Sequence, residues 1–358
     1  MEKGKDKVRV GIVGSKFAAG LHARAYARCR DAEVVAVAAP DNLHQFADEH
    51  GIKNRYDDYK IMLAQEKLDL VSICVPNFLH YQVAMDCAEA GVHAISEKPL
   101  ATKLEHGVAM VKKFEEKNLK LFYAEDWLFA PAIRRAMEIV KEGALGDIFF
   151  IKAKETHNGS HSPFAAKLST CGGGSMIHLA VHPAAFITLL SGSKACEVSS
   201  MCTGGLEDNY VQKHFEGEDW GASIVKFENG VRALIEGNYI TLGGMDDRIE
   251  IYGSKGNLHI NLTQGSPISV YSTAGYSYVV EKADMSTGWT RPAVDEEANL
   301  GYVDEINAFV KAVKEDLPAP FGGSGRDGLE ALAIIVASYE SSKQKRSVNP
   351  QDLLKELM

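Results

Sequence analysis

The sequence predicts a two-domain α/β protein, in which a doubly wound parallel sheet precedes an α+β domain with an open, largely antiparallel sheet. Three observations lead to this prediction. The 358 residues are too many for one ordinary domain. Apolar runs alternate with helical patterns up to about residue 125, and hairpin patterns dominate beyond it. The predicted domains are therefore residues 1–125 and 126–358.

The first domain is predicted from strands that are apolar on both faces and are separated by helices. The apolar runs cover residues 8–14, 34–39, 68–75, 92–96 and 119–124. The helical patterns between them cover residues 18–30, 79–90 and 103–117. Strands buried on both faces belong to a parallel sheet, whose ligands lie at the carboxyl ends of the strands.

The second domain is predicted from hairpins. After a helix at residues 131–141 and a strand from Ile148, a glycine-rich loop opens an apolar helix at residues 173–190. The two hairpins pair residues 222–227 with 231–238, and residues 248–252 with 257–262. Helices at residues 303–314 and 329–342 close the chain. The sheet would have one face covered by helices, and the other in solvent or paired with a second subunit.

Composition excludes several classes of protein. The net charge of -9 argues against a nucleic-acid partner, which needs a basic face. The six cysteines include no CxxC pair, so a zinc ribbon or a redox motif is not expected, and Cys74 and Cys87 are expected in the core. The charged start lacks the pattern of a signal peptide, and no apolar run of about 18 residues predicts a membrane span. We expect a cytoplasmic protein.

The turn after the first strand has part of a dinucleotide-binding pattern. Gly14 fits the first glycine of that pattern, whereas Lys16 stands where the second is usual. Lys16 could lie beside the phosphates or in solvent, and the pattern alone also fits a plain strand-to-helix turn. Asp41, after the second strand, could bind the ribose hydroxyls of NAD or cap the next helix. No arginine follows closely, so NAD is favoured, with NADP as the alternative.

Lys98 in Glu97-Lys98-Pro99 ends the strand at residues 92–96. A lysine at the carboxyl end of a parallel strand points towards the ligand crevice, where burial makes it a plausible proton carrier or a group that orients a hydroxyl. The alternative is an ordinary solvated lysine. Pro99 fixes the turn and is a candidate for a cis bond.

Two histidines follow the glycines at residues 172–174. His178 and His182 are four residues apart, so both project from one face of the predicted helix. They could be core groups, a functional pair, or two ligands of a metal, with His157, His161 or Glu125 as a possible third. No spacing identifies that third ligand, and no metal is predicted. Pro183 predicts a kink or an irregular turn in this helix.

Together these motifs resemble the Gfo/Idh/MocA family, which includes glucose–fructose oxidoreductase and inositol dehydrogenase. The resemblance covers nearly the whole chain and rests on residues 11–14 with His22, residues 75–77 with His80, residues 97–100, Pro131, and the glycine-rich stretch ending in His182. It implies a Rossmann domain that binds a nicotinamide cofactor, substrate between the two domains, and an open sheet often used for oligomerisation. It also implies that Lys98 is the catalytic lysine and His182 the acid/base histidine.

Three residues depart from the family pattern. His178 stands where an Asp is common, Asp126 where an Asn is common, and Leu128 where a polar or basic residue is common. A histidine titrates near neutrality and cannot replace a permanent carboxylate, so it changes either the substrate or the proton relay. An ordinary inositol dehydrogenase is therefore not expected.

The expected site combines both kinds of inference. The catalytic candidates are Lys98, His182 and His178. The cofactor-binding candidates are Gly11, Gly14, Lys16, Phe17, Ala18, Asp41, Val75, Pro76, Asn77, His80, Glu97 and Lys98. The substrate-binding candidates are Lys98, Asp126, Trp127, His157, His161, His178 and His182.

The sequence favours an NAD(P)-dependent oxidoreductase that moves hydride at a secondary alcohol or ketone carbon of a sugar, polyol or glycoside. The expected partners are that small molecule and further copies of the chain, in a dimer or tetramer. Two alternatives remain open. One is glycoside cleavage by transient oxidation and elimination on tightly bound NAD, and the other is a non-catalytic sugar sensor.

Overall fold

The computed structural model describes residues 7–263, 265–266 and 268–357. The chain forms two compact units. The first contains the chain up to Phe129 together with Gly301–Leu329, and the second contains Ala130–Leu300 and the chain from Glu330 onward. Residues 301–329 belong to the second domain predicted from the sequence, because no local pattern reveals which sheet a helix near the end of the chain packs against.

The first unit contains a six-stranded parallel sheet in the order β3-β2-β1-β4-β5-β6. Its strands are β1 (Val8–Val13), β2 (Ala32–Ala38), β3 (Asn54–Tyr56), β4 (Leu70–Ile73), β5 (His93–Glu97) and β6 (Leu121–Ala124). All residues of β4 and β6 are buried, as expected for strands covered on both faces. The strand order reverses between β1 and β4, which is where such sheets bind dinucleotides.

Helices connect these strands. They are α1 (Phe17–Ala27), α2 (Leu43–Glu49), α3 (Tyr59–Gln65), α4 (His80–Glu89) and α5 (Leu104–Glu116), and α10 (Tyr302–Lys314) packs against α1. The predicted parallel sheet is confirmed, although β3, α2 and α3 were not predicted. These three elements have 3, 7 and 7 residues, too few for a clear periodic pattern.

The second unit contains a six-stranded mixed sheet in the order β12-β11-β7-β10-β9-β8. Its strands are β7 (Ile148–Thr156), β8 (Ala195–Cys202), β9 (Trp220–Phe227), β10 (Arg232–Asn238), β11 (Arg248–Gly253) and β12 (Gly256–Asn261). A separate ribbon pairs β13 (Val270–Ser272) with β14 (Gly288–Thr290). Neighbouring strands are antiparallel except β7 and β10, which are parallel. The predicted, largely antiparallel sheet is confirmed.

Several helices of the second unit pack against this sheet. The helices of this unit are α6 (Pro131–Lys141), α7 (Leu168–Cys171), α8 (Val181–Ser191), α9 (Glu296–Leu300) and α12 (Pro350–Lys355), while α11 (Gly325–Gln344) begins in the first unit and continues into the second. In β7 the inward side chains Ile151 and Ala153 are buried beneath α8, while Lys152 and Lys154 point outward. This alternation is typical of a sheet with one covered face.

One helical stretch, Leu168–Ser191, is long and apolar enough to cross a membrane by length and composition. Within that stretch, 78% of the most apolar window is buried inside the protein. It includes α8, which packs against β7 and β10, and apolar character of this kind is what a core helix needs.

Glu305 on α10 is a carboxyl group in the core of the first unit. Glu305 is 0% exposed to solvent, and neither of its carboxyl oxygens has a hydrogen-bond partner among the described residues. Burial, together with the negative charges of Asp126 and Glu97, raises the pKa of Glu305 well above its usual range, and the nearby Glu125 backbone offsets this only in part. The folded protein therefore holds a proton at Glu305 that the unfolded chain releases at lower pH.

We expect the Glu305→Gln variant to become progressively more stable than the native chain as the pH rises. Because the folded pKa lies above the unfolded value, the native chain loses stability between the two values, by up to about 1.4 kcal/mol per pH unit. Urea denaturation at several pH values from 5 to 8 measures the difference. The exposed Glu315, just beyond the end of the same helix, supplies the matched control Glu315→Gln. Parallel pH profiles for the native chain and Glu305→Gln would contradict the assignment.

Candidate active site

The turn after β1 is shaped to receive a phosphate. Gly14 has a φ of +124°, and a Cβ there would lie 2.1 Å from the carbonyl oxygen of Cys74, so only glycine fits. Helix α1 then begins at Phe17 with no side-chain cap and no acidic residue in its first turn. A helix start of this kind presents backbone amides and a positive dipole end to an anion.

The loops after β1 and β2 are tied together beside this helix start. The Ser15 hydroxyl donates to the backbone oxygen of Asp41 at 2.7 Å, and the Asn42 amide donates to the backbone oxygen of Ser15 at 3.2 Å. The side chains of Lys16 and Asp41 form an ion pair at 2.9 Å and are both mostly exposed. Asp41, the acid that follows β2, thus lies next to the turn between β1 and α1 and is paired with Lys16.

Lys98 directly follows the last residue of β5, and Glu97 before it is buried. One Glu97 carboxylate oxygen accepts the backbone N–H of Lys98 at 3.1 Å, and the other lies 3.0 Å from His22 Nε2. His22 Nδ1 lies 3.1 Å from the Ser72 hydroxyl, which bonds in turn to Tyr26 at 2.8 Å. Burial alone would raise the pKa of Glu97, but the His22 hydrogen bond and the charges of His22 and Lys98 hold it below the usual range. A buried ionised network therefore fixes the backbone at Lys98.

His80, the first residue of α4, joins the ends of two neighbouring strands. Its Nδ1 lies 2.7 Å from the backbone oxygen of Pro99 and its Nε2 lies 2.9 Å from that of Val75. Burial lowers the pKa of this ring, and the two carbonyl groups partly counter the effect. The Lys98–Pro99 peptide bond is cis. The loop that continues through Pro76 to the buried Asn77 is thereby linked to the Lys98 turn.

Asp126 and Trp127 lie in a short 3₁₀ turn after β6, and both are buried. Trp127 is 2% exposed, so its indole packs as a core side chain and does not offer a face for stacking on a sugar. Asp126 contributes negative charge near Glu305, as described above. Leu128 in the same turn is also buried.

In the second unit, the carboxyl ends of the parallel strands β7 and β10 carry the candidate groups. Their register places Glu155 opposite Gly237 and Thr156 opposite Asn238. Glu155 faces inward like Ile151, towards the side of the sheet that α8 covers. The chain after each strand then supplies His157 and Tyr239, whose rings lie 5.6 Å apart.

The glycine-rich segment brings both histidines to these strand ends. Residues Met176–Ala180 form a π-helical turn, which α8 continues from Val181. Pro183 lies in the first turn of α8, directly after this π-helical turn. The irregular turn predicted from Pro183 therefore occurs just before the proline. Wider turns of this kind are frequent at functional sites.

Each histidine has its own partner. His182 Nε2 lies 3.3 Å from a Glu155 carboxylate oxygen, and both side chains are nearly fully buried. His178 Nδ1 is hydrogen bonded to the hydroxyl of Tyr239. A carboxylate beside an imidazole stabilises the protonated form of the ring.

Glu218 holds the start of this helical segment. Its carboxylate accepts the backbone N–H groups of Gly174 at 3.0 Å and Met176 at 2.8 Å, and the hydroxyl of Tyr339 at 2.8 Å. A Cβ at Gly174 would lie 2.0 Å from the Glu218 backbone oxygen, so the glycine is needed for this close approach. Burial raises the pKa of Glu218, and these donors offset part of the effect.

The structure brings together most, but not all, of the substrate candidates of the second unit. His157, His178 and His182 lie around Tyr239 and Glu155, whereas His161 is about half exposed and forms an ion pair with Glu281 at 3.6 Å. Sequence reasoning did not single out Glu155 or Glu218. Glu155 is an acid at an inward position of β7, and that mismatch in the alternating pattern is the signal that could have identified it.

Two models of one protein family match the chain. Residues 8–125 match the oxidoreductase family described as having an NAD-binding Rossmann fold, and residues 137–349 match its C-terminal alpha/beta domain, both of Gfo/Idh/MocA. The chain belongs to the Gfo/Idh/MocA family. The resemblance inferred from the motifs is thereby confirmed, as is NAD as the cofactor of its Rossmann domain.

Relatives in this family include sugar and polyol dehydrogenases. A myo-inositol 2-dehydrogenase of Thermotoga maritima is 23% identical and covers 97% of this chain and 100% of its own. A levoglucosan dehydrogenase of Pseudarthrobacter phenanthrenivorans is 25% identical over 96% of this chain and 98% of its own. The crystal structure of GenD2 from gentamicin A biosynthesis, in complex with NAD, has a TM-score of 0.89 at 22% identity, covers 97% of both chains, and shows the shared fold.

The Gfo/Idh/MocA fold explains why the two loops of the first unit fit a dinucleotide. The uncapped start of α1 suits a pyrophosphate, and Asp41 lies beside it in the loop, three residues after the end of β2. Gly11 lies in β1, where a Cβ would come within 3.0 Å of Leu68 and Met62, so the glycine permits the close packing of these side chains on the strand.

We expect Glu218→Gln to destabilise the second unit by about 1.5–3 kcal/mol, because an amide nitrogen would replace one of the two charged acceptors of backbone N–H groups. Urea denaturation at neutral pH measures the change. Glu228→Gln, in the exposed turn between β9 and β10, is the matched control and should leave stability within about 0.5 kcal/mol of the native value. Equal losses in the two variants would mean that Glu218 does not hold the helix start.

Proposed function

We propose that this protein is an NAD-dependent dehydrogenase that oxidises a secondary alcohol of a sugar, polyol or glycoside to a ketone, reversibly. The observation that carries the proposal is the buried Glu155–His182 pair, at 3.3 Å, in a chain whose relatives include polyol and sugar dehydrogenases. A buried imidazole beside a carboxylate is suited to accept a proton from a hydroxyl group.

In this reaction the substrate loses a hydride from carbon and a proton from oxygen. His182 takes the hydroxyl proton, and Glu155 stabilises the resulting imidazolium. Lys98 holds the reacting oxygen, and its backbone is fixed by Glu97. Bound NAD supplies the hydride acceptor. His157 and His178, both near Tyr239, bind other oxygens of the substrate.

Asp41 supports NAD over NADP. Its carboxylate lies beside the phosphate turn, where it can accept the ribose hydroxyls and would repel a 2′-phosphate. An arginine near this loop could bind a 2′-phosphate. Arg55, on β3, instead forms an ion pair with Asp48. We therefore propose that NAD is the preferred cofactor. We also propose that the enzyme is cytoplasmic and assembles from several copies of the chain.

The first experiment is to measure NAD and NADP reduction by absorbance, with a panel of free sugars, inositols and glycosides at neutral and mildly alkaline pH. Reduction with one class of substrate supports the dehydrogenase and names its substrate class. Glycoside cleavage without net NADH would instead favour elimination on tightly bound NAD. Binding without either reaction would favour a sensor.

Lys98→Ala should lower kcat with the identified substrate by about 10²–10⁴-fold, because the reacting oxygen loses the group that orients it and shares its proton. Steady-state kinetics measure the loss, and circular dichroism verifies the fold. The exposed Lys103, five residues along the chain, gives the control Lys103→Ala, which should retain native activity. Full activity in Lys98→Ala would remove Lys98 from the mechanism.

Asp41→Asn should shift the ratio of kcat/KM values for NAD and NADP towards NADP by about tenfold, which corresponds to about 1.4 kcal/mol. The reason is that the variant loses both the acceptor for the ribose hydroxyls and the charge that repels a 2′-phosphate. Asp57→Asn, at an exposed acid after β3, is the control. An unchanged ratio in Asp41→Asn would show that the acid does not select the cofactor.

A further inference from the structure

The hydrogen bond between Tyr239 and His178 determines which ring nitrogen of His178 carries a proton. Tyr239 is 0% exposed, and among the described residues its hydroxyl bonds to His178 Nδ1 alone. Burial raises the pKa of Tyr239 well above its usual range, so the hydroxyl stays protonated. A buried hydroxyl without another acceptor must donate to this nitrogen. The neutral imidazole therefore carries its own proton on Nε2.

The Tyr239 hydroxyl also disfavours a proton on Nδ1 of the ring. Protonation at Nδ1 would require the hydroxyl to become the acceptor and would leave its own hydrogen buried without a partner. The ring edges of His157, Phe164 and Phe215 surround the pair, at centroid distances of 5.4–6.0 Å from His178 or Tyr239. His178 itself is only partly buried, whereas Tyr239 behind it is closed off from solvent.

A donor at this position selects a different substrate group from the one an aspartate would select. A carboxylate accepts from a hydroxyl group and repels an anion, whereas an imidazole N–H donates to an oxygen that only accepts. Hydrogen bonds to a charged acceptor are about twice as strong as those between neutral groups. The substrate group that gains most from His178 is therefore a carboxylate.

We propose that the His178–Tyr239 pair makes this a subsite for a carboxylate, so that the protein acts on the acid form of a sugar or polyol in preference to the neutral form. This inference rests on the proposed function, because it assigns the substrate class of the same site. It adds Tyr239 as a positioning residue that acts through His178.

The test compares matched pairs of compounds that differ in one carboxylate: glucuronate with glucose, galacturonate with galactose, and gluconate with glucitol. Calorimetry measures the affinity of each compound for the protein saturated with NADH, and turnover with NAD is measured separately. We expect at least one acid to bind about 10- to 100-fold more tightly than its neutral counterpart. If no acid exceeds its neutral counterpart in any pair, the inference is overturned.

Three variants identify the cause of the preference. His178→Asp should abolish it, because a donor becomes a negatively charged acceptor. His178→Gln should retain most of it, since the Gln amide can present an N–H near the position of Nε2. Tyr239→Phe should reduce it several-fold while the fold survives, because only the hydroxyl is lost. His259→Asp, at an exposed position on β12, is the control and should leave the preference unchanged.

The two proposals fail in different ways. If neutral compounds are turned over and bind at least as tightly as their acid counterparts, the proposed dehydrogenase activity stands and the carboxylate subsite is overturned. A second outcome is that an acid binds more tightly, that His178→Asp abolishes this preference, and that no compound reduces NAD. That outcome would support the subsite and contradict the dehydrogenase. An acid preference that survives His178→Asp unchanged would assign it to other residues and overturn the inference.

Discussion

The geometry of the second unit depends on one buried carboxylate. Glu218 accepts two backbone N–H groups at the start of the segment that carries both histidines, and Tyr339 bonds to the same carboxylate. The Tyr339 hydroxyl also accepts the backbone N–H of Ile177 at 3.1 Å, so three backbone N–H groups within about one turn share one anchor. A negative charge at a helix start is favourable by itself, and burial makes the arrangement specific because no water can replace it. Without that anchor, neither histidine would be held opposite its partner at the end of β7 or β10.

The two units follow the same physical rule independently. In each, a candidate side chain lies at or beside the carboxyl end of a parallel strand, next to a buried polar group. Glu97, which bonds to His22, holds the backbone at Lys98, and a Glu155 carboxylate oxygen lies 3.3 Å from His182 Nε2. A buried polar group costs free energy unless it is paired, so these partners orient the reactive group and also make its burial possible. The second sheet has a single parallel pair, and its candidate site lies at the end of that pair.

Sequence periodicity predicted five of the six strands of the first sheet and the hairpins of the second, because both patterns are local. It could not predict that β7 and β10 are parallel neighbours, because their paired positions, such as Phe150 and Arg232, lie 82 residues apart and no local pattern reveals the pairing. The predicted helix at residues 173–190 begins instead with a π-helical turn, which depends on the contact of Gly174 with the Glu218 backbone. Lys98 and His182 could be proposed because their motifs are local, whereas Glu155 and Glu218 stand out only through partners distant in sequence.

The substitution of His178 for the aspartate common in the family has to be considered together with Tyr239. An imidazole alone has two neutral tautomers of similar energy, so it would present a donor or an acceptor without preference. The hydroxyl of Tyr239 removes this ambiguity, because Nδ1 is its one acceptor within the described part of the chain. Tyr239 follows β10 directly, and its backbone N–H is bound to the carbonyl oxygen of Asp219, the residue after the helix anchor. The polarity of the subsite is therefore set by the same short stretch of chain that fixes the histidine helix, so orientation and hydrogen-bond character are determined together.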